Sequence, residues 1–237
     1  MNLVSPLLGS IGIITGSDKT SRPCTGSLIA SKWVLTAGHC CYDDRGLEKK
    51  DILFFPGLVT QEIRDTETFS IKPQFKKLAF SAARIVAPHK QENEITDDND
   101  FALIELSRPV EAKALALETN RNRIEQVFFK NVPLFLVGYP QSSEERVIQL
   151  DRFFINFSRP FKHGCRLPRK EPEKLPKNVF SCVNTFFGNS GSPLLAQVDG
   201  DIKVVGIHTR GSGHDHFGWA IPASDIAHWY HWYGLPL

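Results

Sequence analysis

The seventeen residues Cys24–Cys40, CTGSLIASKWVLTAGHC, decide how this chain is read. Two apolar runs, TGSLIA at 25–30 and WVLTA at 33–37, have the length and β-branched content of strands. They lead into a small-residue turn that sets His39 at the rim of a barrel. Runs of the same kind recur along the chain: IGIIT 11–15, DILFF 51–55, ARIVA 83–87 and FALIEL 101–106. After the polar connection SRPVEAKALALETNRNRIEQ they resume with LFLVGY 134–139, VIQLDRFFINF 147–157, NVFSCV 178–183, SPLLAQV 192–198, KVVGIH 203–208 and GWAI 218–221. Many short strands separated by turn residues imply a barrel or a sandwich. Two strand-rich halves about one connection imply two barrels side by side, and the expected boundary divides residues 1–120 from 121–237. The expected helix is terminal. Ser224 or Asp225 caps it, Ile226, Trp229, Tyr230 and Tyr233 share a face, and Gly234 ends it.

Bulk properties exclude several function classes. The 28 basic and 26 acidic side chains leave a formal charge of +2, too little to attract nucleic acid or an anionic membrane. No uncharged run approaches the roughly 18 residues of a membrane helix, and MNLVSPLLGSIGIITGS lacks the basic start of a signal peptide. Five cysteines lack the close paired clusters of a structural zinc site; two disulfides and one free thiol are expected, hence an oxidising, secreted or periplasmic setting. His228 and His231 lie three apart on the expected helix and His214 and His216 alternate in a loop, but neither pair gains an acidic or cysteine ligand, so no metal is expected. No cofactor is implied. The segment RLPRKEPEKLPKNVFS between Cys165 and Cys182 has the composition of a solvated loop, and NFS at 156–158 fits a glycosylation sequon.

A chemical reading comes from TFFGNSGSP, residues 185–193, where Ser190 stands in a Gly/Asn/Ser/Pro cluster that by itself is an ordinary turn. A serine becomes a nucleophile when a base accepts its proton, and an imidazole with a pKa near about 6.5 suits that exchange. Of eight histidines only His39 has a context that marks it as such a base. The base in turn needs a carboxylate to fix its tautomer. DDNDFALIEL offers Asp100 directly before a strand, with Asp97 and Asp98 as exposed loop acids.

TAGHC, NDFALIEL and GNSGSP in that order, followed by VVGIHTRG, resemble the trypsin-like (chymotrypsin-fold) serine proteases from about Thr25 to the terminal helix. The resemblance implies an all-β fold of two packed six-stranded antiparallel barrels with a C-terminal helix. It implies Ser190 as nucleophile, His39 as base and Asp100 as orienting acid, with the N–H groups of Gly188 and Ser190 as oxyanion hole. Thr209, Arg210 and Gly211 match the edge that pairs with a substrate backbone. Cys24 and Cys40 match a family disulfide; Cys165 with Cys182 then follows by exclusion, and Cys41 is either a buried free thiol or a competitor of Cys40.

Departures from the digestive members narrow the expectation. Asn189 stands where they carry the aspartate that pairs with a new N-terminus, so that ion-pair switch is not expected. GNSGSP, VGYP and GIH look instead like the bacterial glutamyl endopeptidase branch, in which Thr185 and His208 would receive an acidic P1 side chain, with Arg210 adding charge at the rim. Asn184 offers no partner to a basic P1 residue, and Phe186 and Phe187 narrow the pocket entrance. The expected partners are protein or peptide substrates of a monomer. The alternatives are a regulatory protease with one target and small or aromatic P1, and a binding fold-mate without turnover.

Overall fold

The computed structural model describes residues 5–16, 23–43, 46–57, 73–88, 95–96, 98–129, 132, 134–139, 154–157, 179–181, 188–211 and 217–232. The first half closes into a barrel of β1 (Ile11–Thr15), β2 (Cys24–Ala30), β3 (Trp33–Thr36), β4 (Leu53–Pro56), β5 (Phe80–Val86) and β6 (Ala102–Leu106), in the order β1-β2-β3-β6-β5-β4. Closure leaves no strand edge exposed. The unbroken apolar run of β1 follows from burial on both faces. Ile14 points into the barrel with Leu28, Val34, Phe54 and Ile104, while Ile11 and Ile13 point out against the second half. Gly12 lies between them because a Cβ there would come within 2.6 Å of the Phe54 ring and 2.3 Å of the Phe55 carbonyl.

The second half is a six-stranded antiparallel sheet of β7 (Leu134–Gly138), β8 (Phe154–Phe157), β9 (Val179–Ser181), β10 (Pro193–Val198), β11 (Asp201–Gly211) and β12 (Phe217–Pro222), ordered β8-β7-β10-β11-β12-β9. Strands β10 and β11 form a hairpin across Asp199 and Gly200, whose φ values of 53° and 91° both lie in the left-handed region that a two-residue turn of this hand requires. Within the described residues the apolar runs are strands, so the all-β expectation holds, with a closed barrel, a second sheet and a terminal helix.

The helices depart from expectation in three places. A short helical turn, α1 (Pro73–Lys76), precedes α2 (Arg121–Phe129), which occupies the end of the segment read as a plain polar connection. Asn120 starts α2, its side-chain oxygen accepting from the Arg123 N–H at 3.3 Å, and Ile124 and Val127 bury against Leu134, Leu136 and Val205. The terminal helix α3 (Ala223–Trp232) begins one residue before the expected cap, so Ser224 and Asp225 fall in its first turn. Ile226 and Tyr230 bury against Ile207 and Ile221 of the sheet and Trp33, Leu35, Phe101 and Leu103 of the barrel, so α3 seals both halves. Tyr233 and Gly234 lie outside the described residues. Among the described residues no helix is long and apolar enough to cross a membrane.

Candidate active site

His39 sits in a single 3₁₀ turn, Gly38–Cys40, directly after β3. Asp100 precedes β6, the strand paired with β3, so sheet pairing alone carries the acid to the base. Both carboxylate oxygens are used: Oδ1 accepts the backbone N–H of His39 and Oδ2 lies against Nδ1, each at 2.8 Å. Asp100 is fully buried while the His39 side chain is 40% exposed, so the acid is dry and the far side of the ring faces outward. A carboxylate at Nδ1 holds the ring proton there and leaves Nε2 free to accept another. The turn is tied down twice more. The Lys49 ammonium donates to the His39 carbonyl at 2.8 Å, and a disulfide joins Cys40 to Cys24 at the start of β2, with Cα atoms 6.0 Å apart. Asp98 is exposed, and Asp97 lies outside the described residues.

Ser190 comes from the opposite half, in the turn before β10, and is brought against this turn by β2. The backbone N–H of Thr25 donates to the Ser190 carbonyl at 2.8 Å. Gly191, at φ 81°, packs so closely on the approach to His39 that a Cβ would lie 2.3 Å from Thr36 Oγ1 and 3.0 Å from the Ala37 nitrogen. Only glycine satisfies both that φ and that contact. Gly188 also has a positive φ, 95°, while Asn189 is buried and Ser190 half-buried. Among the described residues no hydrogen bond joins the Ser190 hydroxyl to His39.

Strand β11 closes the site from the other side. The Gly191 N–H donates to the His208 carbonyl at 2.7 Å, and the His208 N–H to the Ser192 carbonyl at 2.9 Å. The His208 side chain is buried, and desolvation first, with the nearby His39 adding to it, brings its pKa down to about 4 against the pull of the Trp219 carbonyl and Asp100. It is therefore a neutral imidazole at neutral pH. A bulge between His208 and Arg210 displaces Thr209, whose hydroxyl reaches the Trp219 carbonyl at 3.4 Å, and leaves Arg210 and Gly211 exposed. Asn184, Thr185, Phe186 and Phe187, with Cys165, Cys182, His214 and His216, lie outside the described residues.

Cys24, His39 and Cys40 form the one trio of potential metal ligands gathered together among the described residues, and the disulfide occupies both sulfurs. Cys41 is a buried free thiol whose pKa burial pushes up to about 12, so no thiolate forms near neutrality. Three residues that hold the site were not singled out in the sequence: Thr25, Lys49 and Tyr139. Only the place of Thr25 beside Cys24 hinted at contact with the histidine turn.

The trypsin family model matches residues 9–230. Serine protease 23 of Bos taurus is 31% identical over 112 residues, 43% of this chain and 29% of that protein. The suppressor of tumorigenicity 14 protein homolog of Bos taurus is 27% identical over 200 residues, 80% of this chain and 22% of that protein. The chain thus spans less than a third of either relative. Among solved structures, a Glu endopeptidase in complex with MPD has a TM-score of 0.61 at 18% identity, covering 99% of this chain and 93% of that one. A thermostable serine protease, AL20, from an extremophilic microorganism has a TM-score of 0.64 at 16% identity, covering 95% and 97%. At such identities the two structures speak for the fold. With the closed barrel, the second sheet and a family match over nearly the whole length, the chain belongs to the trypsin family.

Proposed function

We propose that the protein is a serine endopeptidase whose site lies between a half spanning residues 1–120 and a half spanning 121–237, with Ser190, His39 and Asp100 as its triad. The observation that carries this reading is the two-point grip of Asp100 on His39, with Ser190 tied to β2 beside it. Ser190 Oγ attacks the scissile carbonyl carbon as His39 Nε2 takes its proton, and Asp100 stabilises the imidazolium that forms. The N–H groups of Gly188 and Ser190 receive the oxyanion. The imidazolium then protonates the leaving amine, giving an acyl-enzyme that water cleaves by the same steps in reverse. Peptide segments pair as an added strand with Thr209, Arg210 and Gly211. The disulfide favours an oxidising compartment, as for a secreted or periplasmic enzyme.

At P1 the reading is an acidic side chain. Its support is the place of His208, buried beside the serine turn: the one N–H of its neutral ring faces the Trp219 carbonyl, so the ring receives a carboxylate by taking up a second proton, with Thr185 as the other donor. The test is cleavage of a mixed peptide library by the protein and by Ser190→Ala. Serine-dependent cuts concentrated after Glu and Asp are expected. No serine-dependent cleavage refutes the endopeptidase, whereas cuts after small or aromatic residues refute the acidic P1 alone.

A further inference from the structure

Thr25 makes four hydrogen bonds with all its polar atoms, and two of them go to the turn that carries Ser190. Its hydroxyl donates to the Gly188 carbonyl at 2.8 Å, and its backbone N–H donates to the Ser190 carbonyl at 2.8 Å. The hydroxyl also accepts the Tyr139 N–H at 3.0 Å, and the Thr25 carbonyl accepts from Thr36 Oγ1 at 2.8 Å. A hydroxyl has a single proton. With Tyr139 occupying a lone pair, that proton is directed to Gly188. The residue is fully buried, so water does not compete for any of these bonds.

These bonds fix orientation. A carbonyl and the N–H that follows it share one rigid plane, so holding the oxygen sets where the nitrogen points. The planes that join 188 to 189, 189 to 190 and 190 to 191 are held at their carbonyls by Thr25 Oγ1, by the Ser192 N–H at 2.9 Å and by the Thr25 N–H. Two of the three holders belong to one residue of the first barrel. The middle plane carries the Ser190 N–H. Asn189 has no charge with which an ion pair could hold the same turn. Thr25 is linked to the base as well, because its neighbour Cys24 is bonded to Cys40 and its carbonyl is bonded to Thr36, on the approach to His39.

We infer that Thr25 is a positioning residue that holds the two peptide planes on either side of the one carrying the Ser190 N–H, and through them keeps that N–H aimed to receive an oxyanion, so that the turn is set by the first barrel without an ionic latch. This rests on the endopeptidase reading for its catalytic meaning, though the clamp itself does not. Thr25→Val keeps the shape and removes the proton and the lone pairs; Thr25→Ser keeps them. Loss of one oxyanion donor costs about 10²–10³ in rate, and disorder of a donor less, so Thr25→Val is expected to lower kcat about 10- to 100-fold with KM changed less than about 3-fold. Thr25→Ser is expected to restore kcat to within about 3-fold of the parent. Amide hydrogen exchange followed by mass spectrometry supplies a readout that needs no turnover. In Thr25→Val the segment 188–192 should exchange at least about tenfold faster while 102–106 in β6 is unchanged, a local opening rather than a global one. Unchanged exchange at 188–192, exchange accelerated equally in both segments, or an unchanged kcat would each overturn the clamp. If the parent protein cleaves nothing, the endopeptidase falls and the exchange comparison alone decides the clamp.

Discussion

A buried neutral histidine makes stability depend on pH in a direction that can be stated in advance. The His208 imidazole titrates at about 4 in the folded chain and at about 6.5 when unfolded, because the fold strips it of water. Above 6.5 both states are neutral and the contribution to stability is complete. As pH falls from 6.5 towards 4 the unfolded chain binds a proton that the folded chain refuses, so stability falls, by up to about 3 kcal/mol from this residue. Urea midpoints at pH 7 and 4.5 should differ more for the parent than for His208→Gln; equal differences would mean that the ring is not desolvated. His208 was singled out through the resemblance of GIH at 206–208 to the glutamyl endopeptidase branch. Its neutrality was not legible, because burial is a property of the packed sheet. His39, Asp100 and Ser190 were singled out by their three motifs taken in order, since the cluster around Ser190 alone reads as an ordinary turn. The contacts of Thr25 and Lys49 were not legible, since Thr25 meets a turn 163 positions away and Lys49 stands in no pattern of its own.

At the scale of elements, strands were read well because each is an apolar run bounded by turn residues, and burial of both faces of β1 and most of β10 keeps such runs unbroken. Helix α2 was missed for the converse reason. It is short, and Arg121, Asn122, Arg123, Glu125 and Gln126 dominate its sequence, while its apolar face rests on Ile124 and Val127. Asn120 was the available signal, an N-cap residue three positions before an N–H that its side chain accepts. Removing that cap with Asn120→Ala should cost about 1 kcal/mol, and Asn120→Ser should recover most of it, measured by thermal or urea unfolding. No effect would mean that packing of Ile124 and Val127 alone sets the start of the helix. The charged groups around it extend the same logic: Glu118, buried, accepts the Asn120 N–H at 2.9 Å and the Lys203 ammonium at 3.1 Å.

For the whole molecule, the halves are joined by a seam with the composition of a core. Ile11, Ile13 and Phe55 from the barrel pack against Val137, Tyr139, Leu195 and Val204 from the sheet. Within it the Tyr139 hydroxyl shares its one proton between the Gly57 carbonyl and, at 3.2 Å, that of Ile11, so a single side chain at the end of β7 reaches two strand ends of the barrel. Burial also pushes its pKa up, which keeps it protonated as a donor. Tyr139→Phe should therefore lower stability by about 1–2 kcal/mol. Unfolding followed by tryptophan fluorescence and by far-ultraviolet circular dichroism should remain one coincident transition, in parent and variant alike. Separate transitions would mean that the halves fold independently and that the seam does not couple them.

The seat of α3 has a further consequence for how the chain is made. Phe101, next after the buried Asp100, is met edge-on by Trp229 at 5.5 Å and by Tyr230 at 6.5 Å. The strand that presents the acid is thus covered by side chains synthesised after all the strands of the second half. During translation the barrel emerges first with this face bare. The ribosome must release this helix before the acid is sealed and the two halves meet, so the nascent chain holds no closed site until α3 has emerged.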